Sequence, residues 1–286
     1  MAWTKGGEPL RSSVEIYNIR TRQTRVVWQT SELVEAPNWS PDGSYLLING
    51  NGLLYRLSPD GGQAPTLLGT GFAVECNNDH GISPDGLMIV ISDKTEHGKS
   101  CIYVLPAEGG VPRQVTSKLP SYWHGWSPDG RQLAYCGIRD DVFDIYSISV
   151  DGGDERRLTE GEGRNDGPDW SADGDWIYFN SSRSGLMQIW RMHADGSDVE
   201  RITYSDTGDW FPHPSPKGDK VLYLSYAPDV FDHPRDREVS LRLMDMDGGA
   251  PETLFELFGG QGTINVPNWS PDGAEFAFVR YFPVND

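Results

Sequence analysis

Asn38-Trp39-Ser40-Pro41-Asp42-Gly43 is the first of six copies of one phrase. The others are Gly81-Ile82-Ser83-Pro84-Asp85-Gly86, Gly125-Trp126-Ser127-Pro128-Asp129-Gly130, Asp169-Trp170-Ser171-Ala172-Asp173-Gly174, His213-Pro214-Ser215-Pro216-Lys217-Gly218 and Asn268-Trp269-Ser270-Pro271-Asp272-Gly273. They recur at 43 or 44 residues, with one interval of 55. A period of that size is the signature of a radial array of four-stranded blades. Within the phrase, Pro has φ fixed for the second position of a type I turn, Asp suits the third and Gly the fourth, so each copy is expected to join two antiparallel strands.

The flanking residues complete a blade. After each phrase comes a run such as Tyr45-Leu46-Leu47-Ile48, Trp176-Ile177-Tyr178-Phe179 or Val221-Leu222-Tyr223-Leu224, rich in β-branched and aromatic residues. A third strand follows in Ile102-Tyr103-Val104-Leu105, Ile145-Tyr146-Ser147-Ile148 and their counterparts, and glycine turns lead to a short fourth, as in Arg157-Leu158-Thr159. The last phrase is followed by one strand only, Phe276 to Val279, while Val14 to Ile19 and Thr24 to Trp28 match third and fourth strands. The fold expected is all-β: a six-bladed β-propeller of four-stranded antiparallel blades, sealed by a blade that mixes the two chain ends. Blades fall near residues 37–75, 80–118, 124–160, 168–204, 212–258 and 267–282 plus 11–30, which makes residues 1–286 a single domain.

Twenty-four basic against 42 acidic residues give a net charge of −18, which disfavours nucleic acid and anionic membranes as partners. No apolar run is long enough to span a membrane, and Met1 to Gly7 lacks the apolar core of a secretory signal, so the expected location is the cytoplasm. Three cysteines, Cys76, Cys101 and Cys136, have no metal-type spacing and read as reduced thiols, with Cys101 and Cys136 buried in strands and Cys76 intermediate.

The phrase Trp-Ser-Pro-Asp-Gly, the strand after it, the Ile-Tyr third strand and the Leu-Thr fourth strand resemble the propeller repeats of the TolB-like family across nearly the whole chain. TolB carries an additional N-terminal domain, is periplasmic and works by binding other proteins. The resemblance implies a propeller fold and a binding or scaffold role, whereas propellers of this kind also occur in peptidases and polysaccharide lyases.

Candidate chemistry lies just ahead of each phrase. The innermost strand of every blade lines the central channel, so equivalent positions from six blades converge on one axis. Asn38, Asp169, His213 and Asn268 stand two places before the serine, His80 and His124 three places before it, and Asn78, Asp79, Asn165, Asp166, Asp209 and Asn265 slightly upstream. Imidazoles and carboxylates aimed at a channel suit a small polar ligand, or a divalent metal on His80, His124 and His213. The competing reading is that these residues cap turns and line a water-filled channel. Trp123, Trp210 and Phe211 could stack on a ligand near the mouth, with interblade packing the better reading. His97, His193 and His233 read as solvated surface. Residues 227–237 form a long Pro- and Asp-rich insertion, either a recognition arm or a neutral loop.

No nucleophile-elbow, zincin or phosphate-loop motif is present. Two functions remain open: a binding or scaffold module whose small polar ligand or protein partner docks at a channel mouth, and a carbohydrate-active enzyme using the channel histidines and aspartates.

Overall fold

A computed structural model describes residues 10–283. The chain opens with β1 (Leu10–Asn18) and β2 (Gln23–Thr30). Blade 1 follows as β3 (Glu35–Trp39), β4 (Leu46–Gly50), β5 (Leu53–Leu57) and β6 (Thr66–Leu68). Blade 2 is β7 (Cys76–Ile82), β8 (Met88–Asp93), β9 (Cys101–Pro106) and β10 (Arg113–Gln114), and blade 3 is β11 (Ser121–Trp126), β12 (Gln132–Arg139), β13 (Val142–Ser149) and β14 (Arg156–Arg157). Blade 4 is β15 (Asn165–Trp170), β16 (Trp176–Ser181), β17 (Gln188–His193) and β18 (Glu200–Arg201). Blade 5 is β19 (Gly208–Pro214), β20 (Lys220–Tyr226), β21 (Arg237–Asp245) and the long β22 (Gly248–Gly259).

Each of these five sheets is an antiparallel meander. The sixth blade is the mixed one: β23 (Glu275–Pro283) pairs with β1 over nine residues, from Leu10↔Pro283 to Asn18↔Glu275, and β1 pairs in turn with β2. Its innermost segment is reduced to a bridge between Trp269 and Phe276, so this blade has three full strands rather than four. The hydrogen bonds between β1 and β23 join the two ends of the chain and leave the ring without an open seam.

The repeated phrase holds each inner hairpin by the same set of bonds. In blade 1 the Gly43 amide bonds to the Ser40 carbonyl at 2.9 Å, the turn expected, and Gly43 takes φ 74°, open to glycine without cost. The Ser40 hydroxyl donates to Asp42 at 2.7 Å and accepts from the Tyr45 amide at 3.0 Å, while Asp42 accepts from the Ser44 amide. The same bonds recur around Ser83, Ser127, Ser171 and Ser270. The hydroxyl bond holds these aspartates below the usual carboxylate range, Asp42 at about 2. Blade 5 has Lys217 in the aspartate's place, and there Asp219 takes the Ser215 hydroxyl at 2.6 Å instead.

Side chains between blades form the core. Trp39, Trp126, Trp170 and Trp269 each pack in such clusters, and the Trp269 indole donates to the His213 carbonyl of the neighbouring blade at 2.9 Å. Trp123 is fully buried beneath Gly81, where a Cβ would lie 2.1 Å from its ring. It packs between blades 2 and 3 rather than facing a ligand.

The other end of each inner strand is irregular. In β3, β11, β15 and β19 the inner strand carries one residue more than its partner, and in β7 it carries two. Such bulges bend the strand and re-aim its side chains. They separate the residues near the turn from those at the mouth where the inner strands begin.

Candidate functional site at the channel mouth

A cavity of about 760 Å³ opens at that mouth, on the face opposite the Ser-Pro-Asp-Gly turns. Of the residues expected from sequence, Asn78, Asp79, His124, Asp166 and Asn265 line it. Glu35, Asn49, Tyr122, Phe143, Arg164, Phe211, His233 and Arg235 join them from strand ends and loops.

The bulges decide which side chain reaches the cavity. His80 and His124 hold the same place in the repeat, yet His124 is the extra, unpaired residue of β11, whereas His80 pairs with Ile91 after the two extra residues of β7. His80 is therefore turned into the protein, its Nε2 3.3 Å from the Leu47 carbonyl, and burial pushes its pKa down to about 4. His213 is engaged at both nitrogens, with Nε2 donating to the Ile264 carbonyl at 2.6 Å and Nδ1 2.9 Å from Asp169 Oδ2. Burial raises the Asp169 carboxyl and His213 opposes that rise.

The three histidines expected as metal ligands are thus held in three separate environments. Among the described residues no three His, Cys, Asp or Glu side chains gather to hold a metal ion.

Four further expected site residues are hydrogen-bonded within the protein. Asn38 donates to the Pro267 carbonyl at 2.6 Å and accepts from the Ile82 amide at 3.0 Å, tying blade 1 to both neighbours. Asn165 bonds to Asp144 and receives Arg183, Asp209 accepts three hydroxyls from Ser205, Thr207 and Ser225, and Asn268 donates to the Ala277 carbonyl.

Inside the mouth the charges fall into two groups, coupled through His124 and Asp79. Asp166 is fully engaged: His124 Nε2 lies 3.4 Å from Oδ1, and Arg164 Nη2 3.2 Å from Oδ2. Burial disfavours its charge, but His124 and Arg164 outweigh that and hold the carboxyl well below its usual range. Burial also opposes the His124 imidazolium, and Asp166 and Asp79 together overcome it, so the His124 pKa is raised. Arg164 reaches further, to Asp232 at 2.8 Å and to His233 Nε2 at 3.0 Å. Because a guanidinium only donates, His233 Nε2 accepts there and the ring is neutral, as burial also favours.

His233 is therefore no surface histidine. It lies edge-on to Trp210 at 4.5 Å and Phe211 at 5.3 Å, so the insertion folds back over the cavity. Phe211 itself lines the cavity at φ 53°, with its ring stacked 6.1 Å from His124.

The second group is Glu35 and Asp79. Asp79 accepts from Asn265 Nδ2 at 2.6 Å and burial raises its pKa. Burial likewise pushes Glu35 up to about 7, against the pull of Arg235 and with a further push from Asp79. The Oδ1 atoms of Asn49 and Asn265 are buried without a protein partner.

All three cysteines are buried and unbridged, Cys76 a little less fully than the others, and burial raises each thiol. Among the described residues no helix is long and apolar enough to cross a membrane.

Glu35, Arg164 and Arg235 carry no repeat signal, because they come from positions where the blades differ. The insertion at 227–237 is the sequence feature that points toward His233 and Arg235.

Comparison with known proteins agrees with this architecture. A family model described as TolB beta propeller domain matches residues 123–235. An uncharacterized protein of Agrobacterium fabrum is 70% identical over 281 residues, covering 98% of this chain and 96% of its own. A solved structure of a candidate TolB from Agrobacterium tumefaciens superposes with a TM-score of 0.94 at 71% identity, over 96% of this chain and 99% of that one. TolB from Acinetobacter baumannii, at 20% identity, shares the fold with a TM-score of 0.65 over 85% of this chain and 63% of its own. With six blades closed by the chain ends, the repeated turn phrase and a relative of such identity over nearly its full length, the chain belongs to the TolB-like β-propeller family.

Proposed function

We propose that this protein is a binding module whose cavity at the channel mouth takes a small polar ligand. The observation that carries the reading is the pair of buried amide oxygens, Asn49 Oδ1 and Asn265 Oδ1, on residues that line a cavity of about 760 Å³. Buried polar atoms need partners, and on residues that line a cavity of ligand size they mark where a bound molecule can supply them. Polar groups here come from blades 1 to 4 and from the segment before β23, while Tyr122 and Phe211 supply apolar wall. That mixture of apolar surface and a few fixed polar groups is what ligand pockets present.

A small ligand fits better than a bulky partner, because residues 227–236 fold over the opening. The Tyr226 hydroxyl donates to the Pro234 carbonyl at 2.9 Å, and Arg164 clasps Asp232. Binding is favoured over turnover because, of the histidines weighed as acids or bases, His80 and His213 are turned into the interior, and His124, which reaches the cavity, is held on an Asp166 whose other oxygen is taken by Arg164.

A thermal-shift screen of polar metabolites on the wild type and on His124→Gln tests the reading. A ligand that binds only the folded protein raises its melting temperature by mass action. Compounds that stabilise the wild type and lose their effect in the variant support it. No stabilising compound, or equal shifts in both proteins, refutes it.

A further inference from the structure

The cavity has a chemical polarity that narrows its ligand. Asn265 Nδ2 lies 2.6 Å from Asp79 Oδ1 and 3.3 Å from Asn78 Oδ1, and both are acceptors. The amide orientation is thereby fixed, because turning it over would set oxygen against oxygen. Its Oδ1, on a fully buried residue, is left as a bare acceptor. Asn49, opposite Glu35 in the β3–β4 pair, likewise has its Oδ1 buried without a partner. One side of the cavity therefore gathers two carboxyls and two amide oxygens, all acceptors once the carboxyls ionise, drawn from β3, the end of β4, β7 and the segment before β23.

We propose that this acceptor pole takes an organic cation, the primary ammonium or guanidinium head of a small ligand, held by Glu35, Asp79 and the side-chain oxygens of Asn49 and Asn265. The inference rests on the binding reading above and adds the class of ligand. A group with several donors and no acceptor is what a set of acceptors can satisfy, and charge-assisted bonds of this kind are the strong ones.

Around the mouth Glu35, Asp79 and Asp166 stand with Arg164 and Arg235, and Asp232 lies on Arg164. Asp166 and Asp232 are met by Arg164 and His124, whereas Asp79 is met only by the side-chain amides of Asn265 and Asn77 with His124 farther off, and Glu35, among cations, only by Arg235, which leaves these two carboxyls the less compensated. Arg235 moderates Glu35 but does not bring it down to the ordinary carboxylate range. Lys94 and Lys99 stand exposed at the rim beside Glu75, where water screens them. Tyr122 and Phe211 give the aliphatic stem of such a ligand an apolar wall.

Isothermal titration calorimetry at pH 8 with n-propylammonium and agmatine, against n-propanol, propionate and glucose, tests the assignment. The two cations are expected to bind and the other three not. Glu35→Gln and Asp79→Asn, each checked for an unchanged circular dichroism spectrum, should weaken binding by about ten- to a hundredfold, the usual effect of losing one charged hydrogen bond. Affinity should also rise from pH 6 to pH 8 in the wild type as Glu35 ionises, and much less in Glu35→Gln. Arg235, Asp79, Tyr281, Asn78 and Asn49 face that carboxyl and are common to both proteins. Binding of propionate, n-propanol or glucose in place of the cations would overturn the cation assignment while leaving a ligand cavity. Failure of all five compounds, together with a blank metabolite screen, would overturn both. Equal affinity for the cations in wild type and Glu35→Gln would show that they bind elsewhere and overturn the assignment.

Discussion

Glu35→Gln is also a test of the folded state without any ligand. Glu35 titrates at about 7 in the native protein against an ordinary value of 4.5, chiefly because burial disfavours its charge. Between those two pH values the native state keeps a proton that the unfolded chain gives up. Since stability rises with pH only where the unfolded state binds more protons, here it must fall. The loss begins as pH passes about 4.5 and is complete a little above 7. A tenfold change in a protonation equilibrium is worth about 1.4 kcal/mol, so raising this carboxyl from its ordinary value to its native one corresponds to roughly 3 kcal/mol. Glutamine does not titrate, so the variant escapes this loss. Its stability relative to wild type should climb by about 3 kcal/mol between pH 4.5 and 8, which in a protein of this size is roughly 5 to 10 °C of melting temperature.

Urea unfolding of both proteins at half-unit steps of pH measures the difference directly, and a shared slope m keeps the comparison to stability alone. Any pH-independent change in packing in the variant shifts the whole curve and leaves its pH slope untouched. Asp169, whose carboxyl is also raised, gives both proteins the same downward trend and cancels, while Asp79, which is coupled to Glu35, falls in the variant and adds to the difference with the same sign. Curves that run parallel across this window would refute the reasoning, and so would a wild type that gains on the variant as pH rises.

Two further outcomes follow from the packing. Deleting residues 1–30 removes β1 and β2 and leaves β23 as a bare edge carrying buried Phe276, Phe278 and Val279, so the truncated protein should aggregate or lose its cooperative unfolding transition; a truncation that melts like the full chain would contradict the closure. Gly81→Ala drives a methyl into the fully buried Trp123 ring and should cost about 1–3 kcal/mol by overpacking, whereas Gly69→Ala, with nothing within 4 Å of its Cβ, should be near neutral; equal denaturation midpoints for the two variants would contradict that packing.

The fold is legible because its signal is local. Each Ser-Pro-Asp-Gly turn closes on itself through a hydroxyl, a carboxylate and three amides no more than five residues apart, so the sequence of the turn carries all of its partners. Even the copy that departs from the phrase keeps the chemistry, with Asp219 reaching back to Ser215 where Lys217 cannot accept. The sixth blade shows the limit of that reading. Its phrase is intact, but the strand ahead of the phrase is reduced to the bridge at Trp269, because nothing in the turn dictates what precedes it.

The site is legible only in part, for a related reason. Repeat phase fixes how far a residue stands from the turn, not which way its side chain points once a bulge intervenes. His80 and His124 show this directly, since one or two extra residues upstream decide between a core carbonyl and the cavity. His233 escapes a sequence reading because insertion loops are usually solvated, whereas here Trp210 and Phe211 offer the imidazole an apolar seat and Arg164 a polar one. Glu35 and Asn49 face each other across one hairpin, outside the positions that the repeat makes conspicuous.

These cases share a division of labour along each inner strand. The turn end is saturated with internal hydrogen bonds, so a change there removes a partner from a closed set and is costly to the fold. The mouth end has a bulge and a following loop whose lengths differ from blade to blade, so changes there re-aim side chains while the turn-end ladder stays intact. Polar residues at the turn end, such as Asn38, Asp169 and His213, are consequently spent on holding blades together. At the mouth, by contrast, the chain leaves buried amide oxygens without a protein partner beside a space large enough for a ligand, and that is where its chemistry can differ from that of other propellers built on the same turn.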